Sequence, residues 1–205
     1  ESDYLKEVVQ FAKEFDIAVM YDAAYTEVTF DGYRPISFME IPGALDVGLE
    51  FHSLSKSYNM TGWRLGSAVG NQDMIEALMV IKSNLDSGVP NAVQYMGIEA
   101  LKISDDEIES RNMIYQQRRD RVVSSLEKMG LEVTSPKAGL YVWAKVPAGY
   151  TSAQFAEILL EERDVVVTAG NGYGPSGEGY IRLSLTINES DLSEGLNRLE
   201  SWETT

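Results

Sequence analysis

Short unbroken apolar runs, set between stretches of helical periodicity, constrain this chain more than any other feature. Ile17-Ala18-Val19-Met20 is such a run. It follows a segment, residues 3–15, that places Tyr4, Leu5, Val8, Val9, Ala12 and Phe15 on one helical face, with Ser2 as the expected N-cap. A continuous apolar tetrapeptide after a helix is what a strand covered on both faces looks like. Val47, Leu49 and Phe51 alternate toward Ser53, and Leu65 to Val69 reads as a third strand. Helical periodicity returns at 73–83 (Ile75, Leu78, Met79) and at 91–102. This interleaving predicts an α/β fold with a largely parallel sheet.

The second half changes character. Ser104-Asp105-Asp106-Glu107 is a capping box opening a long helix, with Ile108, Tyr115, Val122, Leu126 and Met129 as its apolar seam and Gly130 as its stop. Strands are expected at 131–133, 140–146, 165–167 and 180–186. Helices are expected from the Thr151–Gln154 cap, carrying Phe155, Ile158 and Leu159, and over 190–203. The domain reading is 1–104 as part of a large domain, and 105–205 as a linking helix with a small α+β domain.

Composition narrows the function classes. Lys and Arg number 17 against 32 Asp and Glu, a formal net charge of −15. That argues against a nucleic-acid binder, which needs a basic face to displace counterions. No apolar run approaches the roughly 18 residues of a membrane span. Cys is absent and His52 is the only histidine, so thiolate and multi-histidine metal sites are excluded and no metal is expected. The lack of Cys suits a reducing compartment, and a cytoplasmic setting is expected. The chain opens on ESDYL without Met, which reads as a piece of something longer.

The chemistry concentrates in Ser53-Leu-Ser55-Lys56-Ser-Tyr-Asn-Met-Thr-Gly62-Trp-Arg64-Leu-Gly66. A lysine sits just past a strand, among hydroxyls, with an arginine eight residues on. Strand C-termini are where open α/β sheets place ligand crevices. Ser53, Ser55 and Arg64 suit a phosphate, since hydroxyls donate and a guanidinium forks onto two oxygens. Taken alone, the same residues read as an exposed loop lysine and a surface ion pair. Tyr21-Asp22-Ala23-Ala24-Tyr25 adds a second piece at the same sheet edge. Asp22 follows the apolar run directly, and a buried carboxylate needs a cation or good hydrogen bonds; a turn or cap aspartate, and a packing tyrosine, are the plain alternatives.

Together, S-x-S-K-x5-G-x-R-x-G preceded by Y-D-x-x-Y resembles the fold-type I pyridoxal-phosphate enzymes, specifically the class I/II aminotransferases. The likeness extends to Gly177-Glu-Gly-Tyr-Ile-Arg182-Leu-Ser184. Within the family, YDAAYTEVTFDGY, FHSLSKSYNMTGWR and KSNLDSGVPNAVQYMGIEAL are most similar to members acting on LL-diaminopimelate. The resemblance implies a cofactor, pyridoxal 5'-phosphate, joined to Lys56 as an imine. It implies Asp22 against the pyridinium nitrogen, Tyr25 on the ring's phenolic oxygen, Ser53, Ser55 and Arg64 on the phosphate, and Arg182 on the substrate α-carboxylate. It further implies amino acid and 2-oxo acid substrates, a homodimeric full-length enzyme, and a chain of about twice this length, of which this is the C-terminal part of the large domain plus the small domain. A chain lacking the preceding half is expected to be inactive alone. A same-fold lyase, and a non-catalytic half that binds the missing one, stay open as alternatives.

The remaining features read plainly. Gly170-Asn-Gly-Tyr-Gly174-x-x-Gly177-x-Gly179 lacks a P-loop lysine and opens no helix, so it reads as a flexible loop positioning Arg182, itself alternatively a structural ion pair. His52 is expected to be packed or backbone-bonded, Trp63 to pack on the sheet, and Met79 and Met96 to lie in the core.

Overall fold

The structure, a computed structural model, describes residues 2–202. The chain divides into two compact units, Glu1–Glu109 and Ser110–Thr205.

The first unit opens with α1 (Ser2–Phe15), which turns Leu5, Val9 and Ala12 inward. Ser2 lies inside this helix rather than capping it, and Tyr4 and Phe15 are exposed. Strand β1 (Val19–Asp22) is followed by the one-turn helix α2 (Ala44–Val47) and by β2 (Gly48–Ser53). A four-residue helix α3 (Leu54–Ser57) leads to β3 (Gly66–Gly70), then α4 (Gln72–Leu85) and α5 (Asn91–Ala100).

The sheet order is β1-β2-β3. β1 runs parallel to β2, but β3 is antiparallel to it, with Ser53 opposite Gly66 and Leu49 opposite Gly70. The expectation of a largely parallel sheet is therefore corrected. A parallel return needs a crossover of a dozen or more residues, usually helical. Residues 54–65 are instead wound into two short turns that bring the chain straight back.

Under one face of the sheet lie Leu5, Val9, Ala12, Phe38, Ile41, Ala44 and Val47, with Val19 and Tyr21 packed against them. Leu54, Met60 and Ala100 form a second cluster with Tyr58, Leu65 and Met96. The other side of β1 is open: Met20 is 78% exposed, so the strand is covered on one face, not two. α4 buries none of its residues, and Met79 is exposed with Val80, Ile81 and Leu85. Periodicity marks an apolar face, but what covers that face is a separate matter, and no described element of this unit does.

The helix α6 (Asp105–Lys128) opens at the end of the first unit and lies mostly in the second. Its capping box forms as read: Ser104 N donates to Glu107 Oε2 at 3.2 Å and Glu107 N to Ser104 Oγ at 3.3 Å. The second unit continues with β4 (Tyr141–Lys145), α7 (Ser152–Arg163), β5 (Thr168–Ala169), β6 (Tyr180–Ser184) and α8 (Glu189–Glu200). Its sheet is antiparallel with order β4-β6-β5.

Two expected strands differ here. Residues 131–133 contribute a single bridge, Val133 to Ala144, and the strand expected at 165–167 forms at Thr168–Ala169. Of the helix expected over 190–203, residue 203 lies outside the described residues. Val142, Ala144, Ile181 and Leu183 share one face of the sheet and are buried. Val122 and Leu126 of α6, Phe155 and Leu159 of α7, and Leu192, Leu196 and Leu199 of α8 are buried as well. Tyr141, Trp143, Tyr180 and Arg182 take the alternate positions on β4 and β6.

Candidate active site

The C-terminal edge of β1 and β2 brings the first group of residues together. Asp22 stands opposite Phe51 in the parallel ladder, and Ala23 N extends that ladder to Phe51 O at 2.9 Å. Two residues beyond Phe51, Ser53 leaves the strand in an extended conformation and caps α3 without using its side chain. Its hydroxyl is therefore not committed to the helix. Lys56 sits in α3, half-buried, with Nζ 5.7 Å from the centre of the Tyr25 ring. Ser55 is buried.

Arg64 is drawn to the same place by backbone pairing. Leu54 N donates to Leu65 O at 3.1 Å, Ser53 faces Gly66 across the ladder, and Thr61 Oγ1 donates to Ser55 O at 3.1 Å. Arg64 itself takes a left-handed backbone (φ 55°) and its Nη1 donates to Thr61 O. Among the described residues no carboxylate pairs with it, so the surface ion pair is not formed.

Asp22 departs from expectation. Its carboxylate is exposed rather than buried, and it accepts a hydrogen bond from Ala24 N at 3.2 Å. Burial fails because nothing among the described residues covers the open face of β1. No cation of the described residues neutralises it either.

Trp63, expected against the sheet, is 50% exposed at the end of its turn. His52 is bonded to a side chain, not to backbone: Nε2 lies 2.8 Å from Glu50 Oε1. Glu50 is the residue the sequence hides. It is 1% exposed, and its Oε2 accepts from Ser37 Oγ (2.7 Å), Phe38 N (2.7 Å) and Met39 N (3.3 Å). An ionised carboxylate only accepts, so His52 Nε2 carries the hydrogen. Glu50 thereby fastens the turn at 37–40 to the strand that leads to Lys56. The signal in the sequence was faint: a lone acid between Leu49 and Phe51, two residues from the only histidine.

Arg182 belongs to the second unit. On β6 it lies between Trp143 of β4 and Thr168 of β5. Its guanidinium carbon is 3.9 Å from the centre of the Tyr141 ring and 4.4 Å from that of Tyr173. Among the described residues no acidic group pairs with it, so the structural ion pair is absent here too.

Comparison with known proteins places the chain. The family model for aminotransferase class I and II matches residues 2–199. An LL-diaminopimelate aminotransferase of Dehalococcoides mccartyi is 58% identical over 201 residues, covering 98% of this chain and 52% of that protein. One from Moorella thermoacetica is 53% identical over 196 residues, covering 96% of this chain and 50% of its own. Among solved structures, an aminotransferase from Staphylococcus aureus superposes with a TM-score of 0.90 at 36% identity, covering 98% of this chain and 53% of that one. The chain belongs to the class I and II aminotransferases, a family dependent on pyridoxal 5'-phosphate. It spans about half the length of the curated relatives it matches.

The residues present suit that cofactor. A pyridine aldehyde carrying a phosphate calls for an amine, an anion, hydroxyls and a cation. The strand edge offers Lys56, an Asp22 carboxylate with no cation of its own, Ser53 and Ser55, and an Arg64 guanidinium with no acid of its own. Among the described residues there is no group of three or more acidic or histidine side chains able to hold a metal. No helix of the described residues is long and apolar enough to cross a membrane.

Proposed function

We propose that this chain carries the lysine-bearing half of a pyridoxal-phosphate aminotransferase that moves an amino group between LL-diaminopimelate and a 2-oxo acid. One observation carries the reading: the register that sets Asp22 beside Phe51, with Lys56 turned back over Tyr25 from the end of the same strand. An amine, an acid and a phenol at one strand edge are the groups this chemistry uses. The names of the relatives supply the substrate.

When bound, pyridoxal phosphate supplies an electron sink for charge that develops at the substrate Cα. The chain's own residues do the rest in this reading. Lys56 Nζ would be the anchor and, once displaced by the substrate amine, would take up the Cα proton and pass it to the cofactor's former aldehyde carbon instead of returning it to Cα. Asp22 holds a proton on the ring nitrogen, because a carboxylate nearby favours the charged form of a base. Tyr25 donates its hydroxyl to the phenolic oxygen. Ser53, Ser55 and Arg64 fix the phosphate, and Arg182 grips the α-carboxylate in a fork.

The reading takes residues 1–104 as part of the cofactor-binding domain and 105–205 as linking helix and small domain. It takes the working enzyme as a cytoplasmic homodimer, and this chain alone as inactive. Exposed Met20, Met79, Val80, Ile81 and Leu85 support that last point, since apolar surface of this kind is ordinarily covered.

The test is borohydride reduction of the full-length protein with pyridoxal phosphate, followed by peptide mapping. The label falls on Lys56, and substitution Lys56→Ala removes both it and the transfer of nitrogen from LL-diaminopimelate to 2-oxoglutarate. A label on another lysine overturns the site. Turnover by residues 1–205 alone overturns the half-enzyme part.

A further inference from the structure

Arg182 is held differently from most arginines of its unit. Arg119, Arg121 and Arg198 are held by carboxylates of Asp120, Glu189 and Glu194. Arg182 has no such anion among the described residues, yet it is half-buried on a central strand. What holds it is a pair of aromatic faces, Tyr141 at 3.9 Å and Tyr173 at 4.4 Å. A ring face attracts a cation through its quadrupole and leaves the N–H edges without a competing acceptor.

The two rings arrive by different routes. Tyr141 is on β4, opposite Ser184 and so diagonal to Arg182. Tyr173 comes from the glycine-rich loop, and that loop is built, not slack. Gly170 is buried, and a Cβ there would fall within 2.7 Å of Tyr180 O and closer still to the Gly177 carbonyl oxygen. A Cβ on Gly177 would meet the Gly170 carbonyl in the same way. The two backbones cross where only glycine fits.

Ser152, 0% exposed at the start of α7, ties the far side down. Its Oγ accepts from Gly179 N at 2.8 Å and Tyr180 N at 3.0 Å, and its own N donates to Glu178 Oε1 at 2.8 Å. Trp143 then braces the Tyr173 ring edge-on, centroids 5.4 Å apart.

We propose that Tyr141 and Tyr173 are positioning residues that hold the Arg182 guanidinium ready for a substrate carboxylate, and that the Gly170–Gly177 crossing sets Tyr173 in place. This rests on the reading of Arg182 as the carboxylate-binding residue. The flexible loop expected from composition becomes a fixed support. The benefit is in binding: a stem already held between two rings has less rotamer freedom to lose when its ligand arrives.

The experiment uses the full-length holoenzyme with LL-diaminopimelate and 2-oxoglutarate as probes, reading kcat, KM and calorimetric Kd. Tyr173→Leu and Tyr141→Leu each raise KM and Kd by roughly 3- to 10-fold, with kcat moved less than KM and cofactor affinity unchanged. Tyr173→Phe keeps the ring and brings KM back to within about twofold of the parent. Gly170→Ala reproduces the Tyr173→Leu pattern. Arg182→Gln serves as the control on the underlying reading. If it leaves KM and Kd unchanged, the carboxylate role of Arg182 falls, and the positioning role with it. If it raises both while the two leucine variants do not, or if Tyr173→Phe behaves like leucine, only the positioning proposal is overturned.

Discussion

Replacing Glu50 by alanine should loosen one particular turn far more than its neighbourhood. The side chain is almost fully buried, and its two oxygens serve four donors: Ser37 Oγ, Phe38 N, Met39 N and His52 Nε2. Alanine removes every acceptor at once. The Phe38 amide is left with no partner in a buried setting, at about 1–3 kcal/mol for an unsatisfied buried donor. We take about 2 kcal/mol as the expected loss, which at a urea slope of about 2 kcal/mol/M lowers the midpoint by roughly 1 M.

Glu50→Gln separates charge from shape. Its amide oxygen can still accept from the turn, while its NH2 replaces Oε1 beside His52. The imidazole must then move its hydrogen to Nδ1 so that Nε2 accepts. That exchange keeps the bonds and loses only their charge assistance, about 1 kcal/mol. The discriminating assay is amide hydrogen exchange of the full-length protein, read on the peptide covering 36–40 against the one covering α1. Alanine should speed exchange at Phe38 and Met39 strongly, glutamine weakly, with α1 lagging in both. Equal and small effects of the two substitutions, with midpoints lowered by less than about 0.5 M, would refute the view that this carboxylate fastens the turn.

Two further outcomes follow from single contacts. Gly66→Ala would put a Cβ 2.8 Å from His52 O, against backbone rather than a yielding side chain, so it should lower the melting temperature and weaken pyridoxal phosphate binding together. Gly97→Ala meets side chains alone, crowding the end of Leu65 and touching Leu54, and a scan of both variants by calorimetry should rank Gly66→Ala as the more damaging. Lys145 donates to Glu132 Oε2 at 3.1 Å, and this bond, with the charge behind it, raises the ammonium pKa above its ordinary 10.5. A raised folded-state pKa means the pair's contribution is complete below the ordinary lysine range and fades as pH climbs through the raised value. NMR titration should show the Lys145 signal moving back to an ordinary midpoint in Glu132→Gln.

The sequence carries the candidate lysine plainly because its signal is local. Ser53, Ser55, Lys56 and Arg64 lie within one turn-and-return, and Asp22 is fixed by the end of an apolar run, so spacing alone nearly determines where they fall. Glu50 and the rings around Arg182 are different in kind. On β2, alternation is visible in Val47, Leu49 and Phe51, but it implies that Glu50 points to water. The structure buries Glu50 at 1% because Phe38 and the turn before Ile41 close over that face. That closure depends on a loop passing back under the sheet, which no two-residue period encodes.

Tyr173 reaches Arg182 only because Gly170, directly after β5, and Gly177, three residues before β6, let the backbone cross itself; as text they are merely part of a glycine-rich run. Exposed α4 makes the converse case. Its periodicity was legible and its burial was not, since a helix face records that something should pack there without recording what. Local spacing thus locates the candidate reacting groups, and long-range closure decides how firmly they are held. The two sets of substitutions should separate on that line: those at Lys56 in chemistry, those at Glu50, Tyr141 and Tyr173 in the geometry that serves it.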